Sequence, residues 1–292
     1  MPELAIHQGA SLHRNLAPIG PQLLAVLSQN NVRATHVLWQ VCAQLQGLGY
    51  PLVVLDGTSA ESESAPGLAH LLSQSSWSDG ARPALAPTEA DSLAVLPALH
   101  GLAALAREVL NPQQPSHHPL QPLQALFRSY ALVVLHAPAA TLASPLLKGL
   151  STTPLLVLQP DADGVLAGYR QLKQLALNTG LAASVACVVP PRDTEHQHQA
   201  RDVLDAVRDC AARHLGQRIG TSLLQAGNTA DLQRLALQLL EGAGRLPSTP
   251  LDNALPWAAE PLPSGAYAPA AAQVNAHAHA HAQISSHFQP GH

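Results

Sequence analysis

The side chains best able to do chemistry in this sequence stand just behind short apolar runs. After Leu23-Leu24-Ala25-Val26-Leu27 comes Ser28-Gln29-Asn30-Asn31-Val32-Arg33-Ala34-Thr35-His36-Val37. A loop between a first strand and a first helix is the favoured cradle for a phosphate, because backbone N–H groups and the positive end of the helix dipole meet there. Asn30 and Asn31 tolerate the positive-φ turns such a loop needs. Arg33 puts a bulky side chain where backbone should approach the anion, and Ala34 supplies no charge. The Thr35 hydroxyl suits magnesium, but one threonine is not a metal site. A second run, Leu52–Leu55, closes on Asp56-Gly57-Thr58, and a third, Ala131–Leu135, is followed by His136. An imidazole at a strand end reads as a structural histidine before it reads as a catalytic base. Far downstream, His277, His279 and His281 alternate with alanine. That spacing could hold nickel, copper or zinc loosely, although compositional drift in an alanine-rich tail explains it as well.

The elements that must position these groups follow from hydrophobic period. Strands are expected at 23–27, 52–55, 93–97, 131–135, 155–158 and 184–189. Helical period over 36–48, 165–177, 197–215 and 229–241 separates most of them. Continuous apolar strands alternating with helices predict a mostly parallel α/β sheet covered on both faces. Residues 58–91 read as surface loops around a short helix. After Arg245 the prolines multiply and Lys and Arg disappear, so residues 246–292 are expected to be a disordered tail. The predicted organisation is an N-terminal segment over 1–19, an α/β domain over 20–245, and that tail.

The loop at 28–37 resembles the deviant Walker A loop of MinD/ParA-type P-loop ATPases, S-x-K-G-G-x-G-K-T-T. In that register the signature lysine falls on Gln29, two glycines on Asn30 and Asn31, the third on Arg33, the phosphate lysine on Ala34, and the magnesium threonine on Thr35. The resemblance also places the second carboxylate of an Asp-x-Asp pair at Thr58, behind Asp56, and the Walker B aspartate at His136. It therefore implies a P-loop fold with a degenerate nucleotide loop: a pseudo-ATPase without catalytic residues, for which neither ATP nor magnesium is expected. Val189, near the family's adenine-contacting asparagine, is read as a core strand residue.

Upstream, His7-Gln8-Gly9-Ala10-Ser11-Leu12-His13-Arg14-Asn15-Leu16 is similar to the D-Q-A-x-x-L-R-x-L motif of FlhG/FleN flagellar regulators. In that family the segment activates the signal-recognition-type GTPase FlhF, its glutamine ordering the catalytic water. The resemblance implies partner contacts through Gln8, Leu12, Arg14 and Leu16, although the leading aspartate is His7. Leu12 and Leu16 share a helical face, as a docking segment or a cap on its own domain would require. Residues 93–101 and the run from Gln159 through Tyr169 to Lys173 resemble further FlhG segments.

Composition narrows the alternatives. Hydrophobic residues make up 47% of the chain and aromatics 3%, so the core must be built from Leu, Val and Ala. A net charge of -4 without a basic stripe argues against nucleic acid. Cys42, Cys187 and Cys210 are too scattered for a disulfide framework or zinc site. No secretory signal or membrane span is expected, and 229–241 carries too little basic charge for an interfacial anchor. The resulting expectation is a cytoplasmic protein, recruited to the cell pole by a partner. It would regulate flagellar number or placement through FlhF or an active FlhG homologue. The rivals are a MinD-like scaffold for a pilus, secretion or polysaccharide-synthesis machine, and an unconventional ATPase using Thr35 and Asp56.

Overall fold

The structure, a computed structural model, describes residues 20–29, 32–74, 93–108, 118–143 and 145–247. The chain divides into two compact units, 1–251 and 252–292, and every described residue belongs to the first. Its elements are β1 (Gln22–Leu27), α1 (Val32–Gly47), β2 (Leu52–Asp56), α2 (Leu68–Gln74), β3 (Leu93–Pro97), α3 (Leu99–Glu108), α4 (Gln121–Leu126) and β4 (Leu132–Ala137). There follow α5 (Ala139–Leu142), β5 (Leu155–Leu158), α6 (Ala162–Thr179), β6 (Ser184–Val189), α7 (Thr194–Leu215), β7 (Gly220–Gln225), α8 (Thr229–Glu241) and β8 (Gly244–Arg245).

The strands form one sheet in the order β3-β2-β4-β1-β5-β6-β7, all parallel, with β8 antiparallel against the start of β1. Parallel neighbours need crossover helices, and these cover both faces. Alternate residues of β1 and β4 therefore enter two separate cores. Leu23, Ala25, Val133 and Leu135 join Leu102, Leu123, Phe127, Leu172 and Leu204 on one face. Leu24, Val26, Leu132 and Val134 meet α1 and α8 on the other. The apolar stripe of α8, Leu232, Leu235, Ala236 and Leu239, is buried there, and Arg234 is paired with Asp231 at 3.3 Å. That helix covers the sheet, as its pattern predicts. Among the described residues no helix is long and apolar enough to cross a membrane.

The departures from expectation that bear most on the site and the sheet are in α1, β4 and β7. The first helix begins at Val32 and not at His36, because Ala34 continues the buried face of Val37, Leu38, Val41 and Leu45 one turn towards the N-terminus. Arg33, Ala34 and Thr35 thus belong to a helical turn. β4 runs on through His136 and Ala137, both buried. β7 was not expected at all: it is an edge strand whose only buried side chain is Leu224. Helix ends are otherwise marked by local chemistry. Asp161 Oδ1 accepts the Gly164 N–H at 2.6 Å at the start of α6, and Gly180 closes it at φ 75°, where a side chain would be strained.

Candidate functional site

Parallel strands leave their carboxyl ends on one edge of the sheet, and the order β2-β4-β1 brings three of these ends together. Asp56 lies opposite His136, and His136 opposite Val26, in the strand register. The resulting cleft of about 280 Å³ is lined by Ser28, Gln29, Thr35, Asp56, Thr58 and His136, with Val32 and Trp39 on the α1 side. The described members of the loop set read from sequence therefore converge, apart from Arg33 and Ala34. Arg33 is exposed and lines a neighbouring cleft, while Ala34 is 7% exposed, its methyl packed in the α1 core. The Gln29 amide nitrogen is buried with no hydrogen-bond partner. Asn30 and Asn31 lie outside the described residues, as do Gln8, Leu12, Arg14, Leu16 and His277, His279 and His281.

Asp56 is the hub. Its Oδ1 accepts hydrogen bonds from the Thr58 backbone N–H at 3.0 Å and the Thr58 hydroxyl at 2.6 Å, and His136 Nδ1 lies 3.1 Å away. Its Oδ2 accepts the Ser59 hydroxyl at 2.6 Å. Partial burial pushes the carboxyl pKa up, but the bonds from His136, Ser59 and Thr58 outweigh it and hold the carboxyl far below the usual carboxylate range. An ionised carboxylate only accepts, so the Nδ1 facing it carries the proton. His136 is 6% exposed. Its geometry is that of a satisfied, oriented histidine.

Sequence reading missed the second half of this arrangement. Glu61 sends its carboxylate to two helix beginnings, accepting from His100 N at 2.8 Å, Gly101 N at 2.8 Å and Ala69 N at 3.3 Å. Burial pushes its pKa up, and those N–H groups more than offset this, leaving it lowered. Gly67 passes so close to the Pro97 carbonyl that a Cβ there would overlap it. The loop after β2 is thereby tied to α2, α3 and β3. No local signal announces Glu61, whose partners at α3 lie 39 and 40 residues away.

A second cleft, of about 370 Å³, opens beside the first turn of α1, between Arg33 and His36 on one wall and Val188, Pro190, Pro191 and Ala226 on the other. Val189 is fully buried, as expected of a core strand residue. Among the described residues no three His, Cys, Asp or Glu side chains gather to hold a metal. Burial alone pushes the Cys42 thiol up to about 12, and burial chiefly does the same for Cys187.

No protein-family model matches the chain, and no curated protein matches it in sequence. Solved structures resemble it in shape. A plasmid partition protein from Borrelia burgdorferi is 11% identical over 75% of this chain and 99% of its own, with a TM-score of 0.48. MinD of the Aquifex aeolicus MinC:MinD complex is 14% identical over 73% of this chain and 85% of its own, with a TM-score of 0.44. Cobyrinic acid a,c-diamide synthase from Mycobacterium smegmatis, solved with ADP and magnesium, is 18% identical over 76% and 94%, with a TM-score of 0.44. No residue's role follows from likeness at this level.

Proposed function

We propose that this chain is a non-catalytic, FlhG-like regulator that acts through protein partners, its P-loop cleft serving as a structural knot and not as an ATPase site. The observation that carries the non-catalytic part is the engagement of Asp56. Both of its oxygens are taken up by His136, Thr58 and Ser59, with hydroxyl contacts of 2.6 Å. A magnesium ion would have to compete with these donors for the carboxylate. A nucleoside triphosphate would enter beside an ionised carboxylate in a cleft whose described lining contains no Lys or Arg. Fixed negative charge repels phosphate most strongly where solvent screening is weakest. The methyl of Ala34 occupies the place the resemblance gives to the phosphate lysine.

The partner reading rests on the resemblance of residues 7–16 to the FlhG activating segment. FlhF-type GTPase is the proposed partner, with Gln8, Leu12, Arg14 and Leu16 in contact. Two measurements test the two halves. Millimolar Mg-ATP should leave the melting temperature unchanged; an upward shift that tracks ligand concentration would establish binding and sink the pseudo-ATPase reading. GTP hydrolysis by the cognate FlhF should rise on addition of the full chain and fall back with Gln8→Ala. Absence of both stimulation and binding would remove the flagellar assignment and favour a scaffold for another polar machine.

A further inference from the structure

Helix α6 has a face that its fold does not use. Gly164, Gly168, Leu172 and Leu175 turn inward, Gly168 closely enough that a Cβ would meet Leu158 Cδ2 at 2.5 Å. Diametrically opposite, Leu166, Arg170, Lys173 and Leu177 recur at i, i+4, i+7 and i+11, which places them on one line along the helix. Leu166 is 50% exposed and Leu177 is 71% exposed. Arg170 and Lys173 are exposed between them, and among the described residues neither enters an ion pair. A solvent-facing ridge ordinarily carries polar residues along its crest. Single exposed leucines are commonplace, such as Leu237 on α8, whose neighbour Arg234 is already paired with Asp231. A line of two leucines enclosing two unpaired cations, spanning roughly 16 Å of helix, is a different object.

We propose that this ridge of α6 is a docking surface for an acidic amphipathic segment of a partner protein. The leucines call for an apolar stripe, and the cations, one helical turn apart, call for carboxylates beside that stripe. Two other occupants fit less well. A second copy of the chain joined about a two-fold axis would set the ridge against itself and oppose like charges. An anionic lipid surface, being a broad plane, would also have to meet α7, packed alongside α6, whose exposed Glu195, Asp202, Asp205 and Asp209 outnumber its exposed Arg201, Arg208 and Arg213. A narrow peptide can follow the α6 crest without touching those carboxylates. The surface is separate from the residue 7–16 segment and from the Asp56 cleft, so it stands or falls apart from the proposed function.

The test places a photo-crosslinking amino acid at 166 or 177 of the full chain in its native cell and maps the joined peptide by mass spectrometry. The expected result is one other protein captured from both positions, through a peptide with carboxylates flanking apolar residues at helical spacing. The double variant Arg170→Glu/Lys173→Glu should lower the yield about tenfold while leaving the melting curve of the purified protein unchanged. A crosslink to lipid, to this chain itself or to nothing overturns the proposal. A yield that survives charge reversal does so too.

Discussion

The loops that leave β1 and β2 emerge at the same edge of the sheet, one on each side of β4, yet charge is handled in them in opposite ways. The β1 exit runs into α1 with no acidic residue in the first turn, and Ala34 is buried there as a bare methyl. The β2 exit is laced by two carboxylates. Asp56 holds Thr58, Ser59 and His136, while Glu61 holds the beginnings of α2 and α3. The charge on the β2 side is satisfied internally, while on the β1 side the cation of the first helical turn, Arg33, lines the neighbouring cleft. A phosphate site depends on fixed dipoles and cations left without partners until the ligand arrives. At the β2 exit that unpaired state is gone, whereas at the β1 exit the buried Gln29 amide nitrogen keeps it without a charge.

The contrast is broken most severely by removing its hub. Asp56→Ala leaves His136, buried at the end of β4, facing a cavity, and frees two hydroxyls and an N–H. We expect a loss of about 3 kcal/mol in urea unfolding, the upper end for buried donors left without their charged acceptor. A loss below about 0.5 kcal/mol, the level of an ordinary surface change, would mean the knot is incidental. Ala34→Lys attacks the other loop. It returns a cation to the place the P-loop reading requires, but the site is a packed one at 7% exposure. The ammonium must snorkel to water, so we expect about 2 kcal/mol of destabilisation and no response to Mg-ATP. Stabilisation of this variant by Mg-ATP would show that the cradle was only one residue from working.

Glu61→Ala comes next, at about 1 kcal/mol, the usual cost of a lost cap. Amide exchange should quicken at His100 and Gly101, where the carboxylate accepts both N–H groups. Acid separates the loops by sign. Both carboxyls titrate below their ordinary values when folded. Their contribution is therefore complete above about pH 4, the unfolded carboxylate range, and is lost as pH falls through the lower folded values. Stability should hold steady from neutral pH to about 5 and then decline, with a shallower decline in Asp56→Ala. An equally steep decline in that variant would place the acid-sensitive groups elsewhere.

Much of this fold is legible in the amino-acid sequence, and the reasons are physical. Buried parallel strands such as β2, β5 and β6 show as apolar runs, and α8 shows its stripe from Thr229 to Glu241. The first turn of α1 escaped because alanine says little about burial, although Ala34 sits one turn before Leu38 on the same face. β7 escaped because an edge strand opening Gly-Thr-Ser carries almost no apolar signal. In the site, Asp56, Thr58 and His136 could be singled out individually. Their joining could not, since it depends on β4 lying beside β2, 80 residues apart at the contact. Glu61 was invisible for the same reason, its partners being backbone N–H groups supplied by a distant helix.

The smallest effect is expected from Thr58→Asp, which sharpens the comparison most. The substitution restores the second carboxylate that the P-loop resemblance places there. In a working metal site it should help, because two acids share one magnesium ion. In this chain the Thr58 hydroxyl donates to Asp56 Oδ1 at 2.6 Å, so the new carboxylate replaces a donor with a like charge. Thr58 is exposed, and water will screen most of the repulsion, leaving a loss of about 0.5–1 kcal/mol at neutral pH. The Asp56 carboxyl should move back up towards its ordinary range, because one hydrogen bond is gone and a negative charge stands beside it. The acid limb of the stability curve should then begin at higher pH than in the unaltered protein. Ten millimolar magnesium decides what the pair is worth: if the loss persists, the β2 loop is a knot that acids only loosen. If magnesium instead raises the variant above the unaltered chain, the edge still has the shape of a cation site, and only its charges were exchanged.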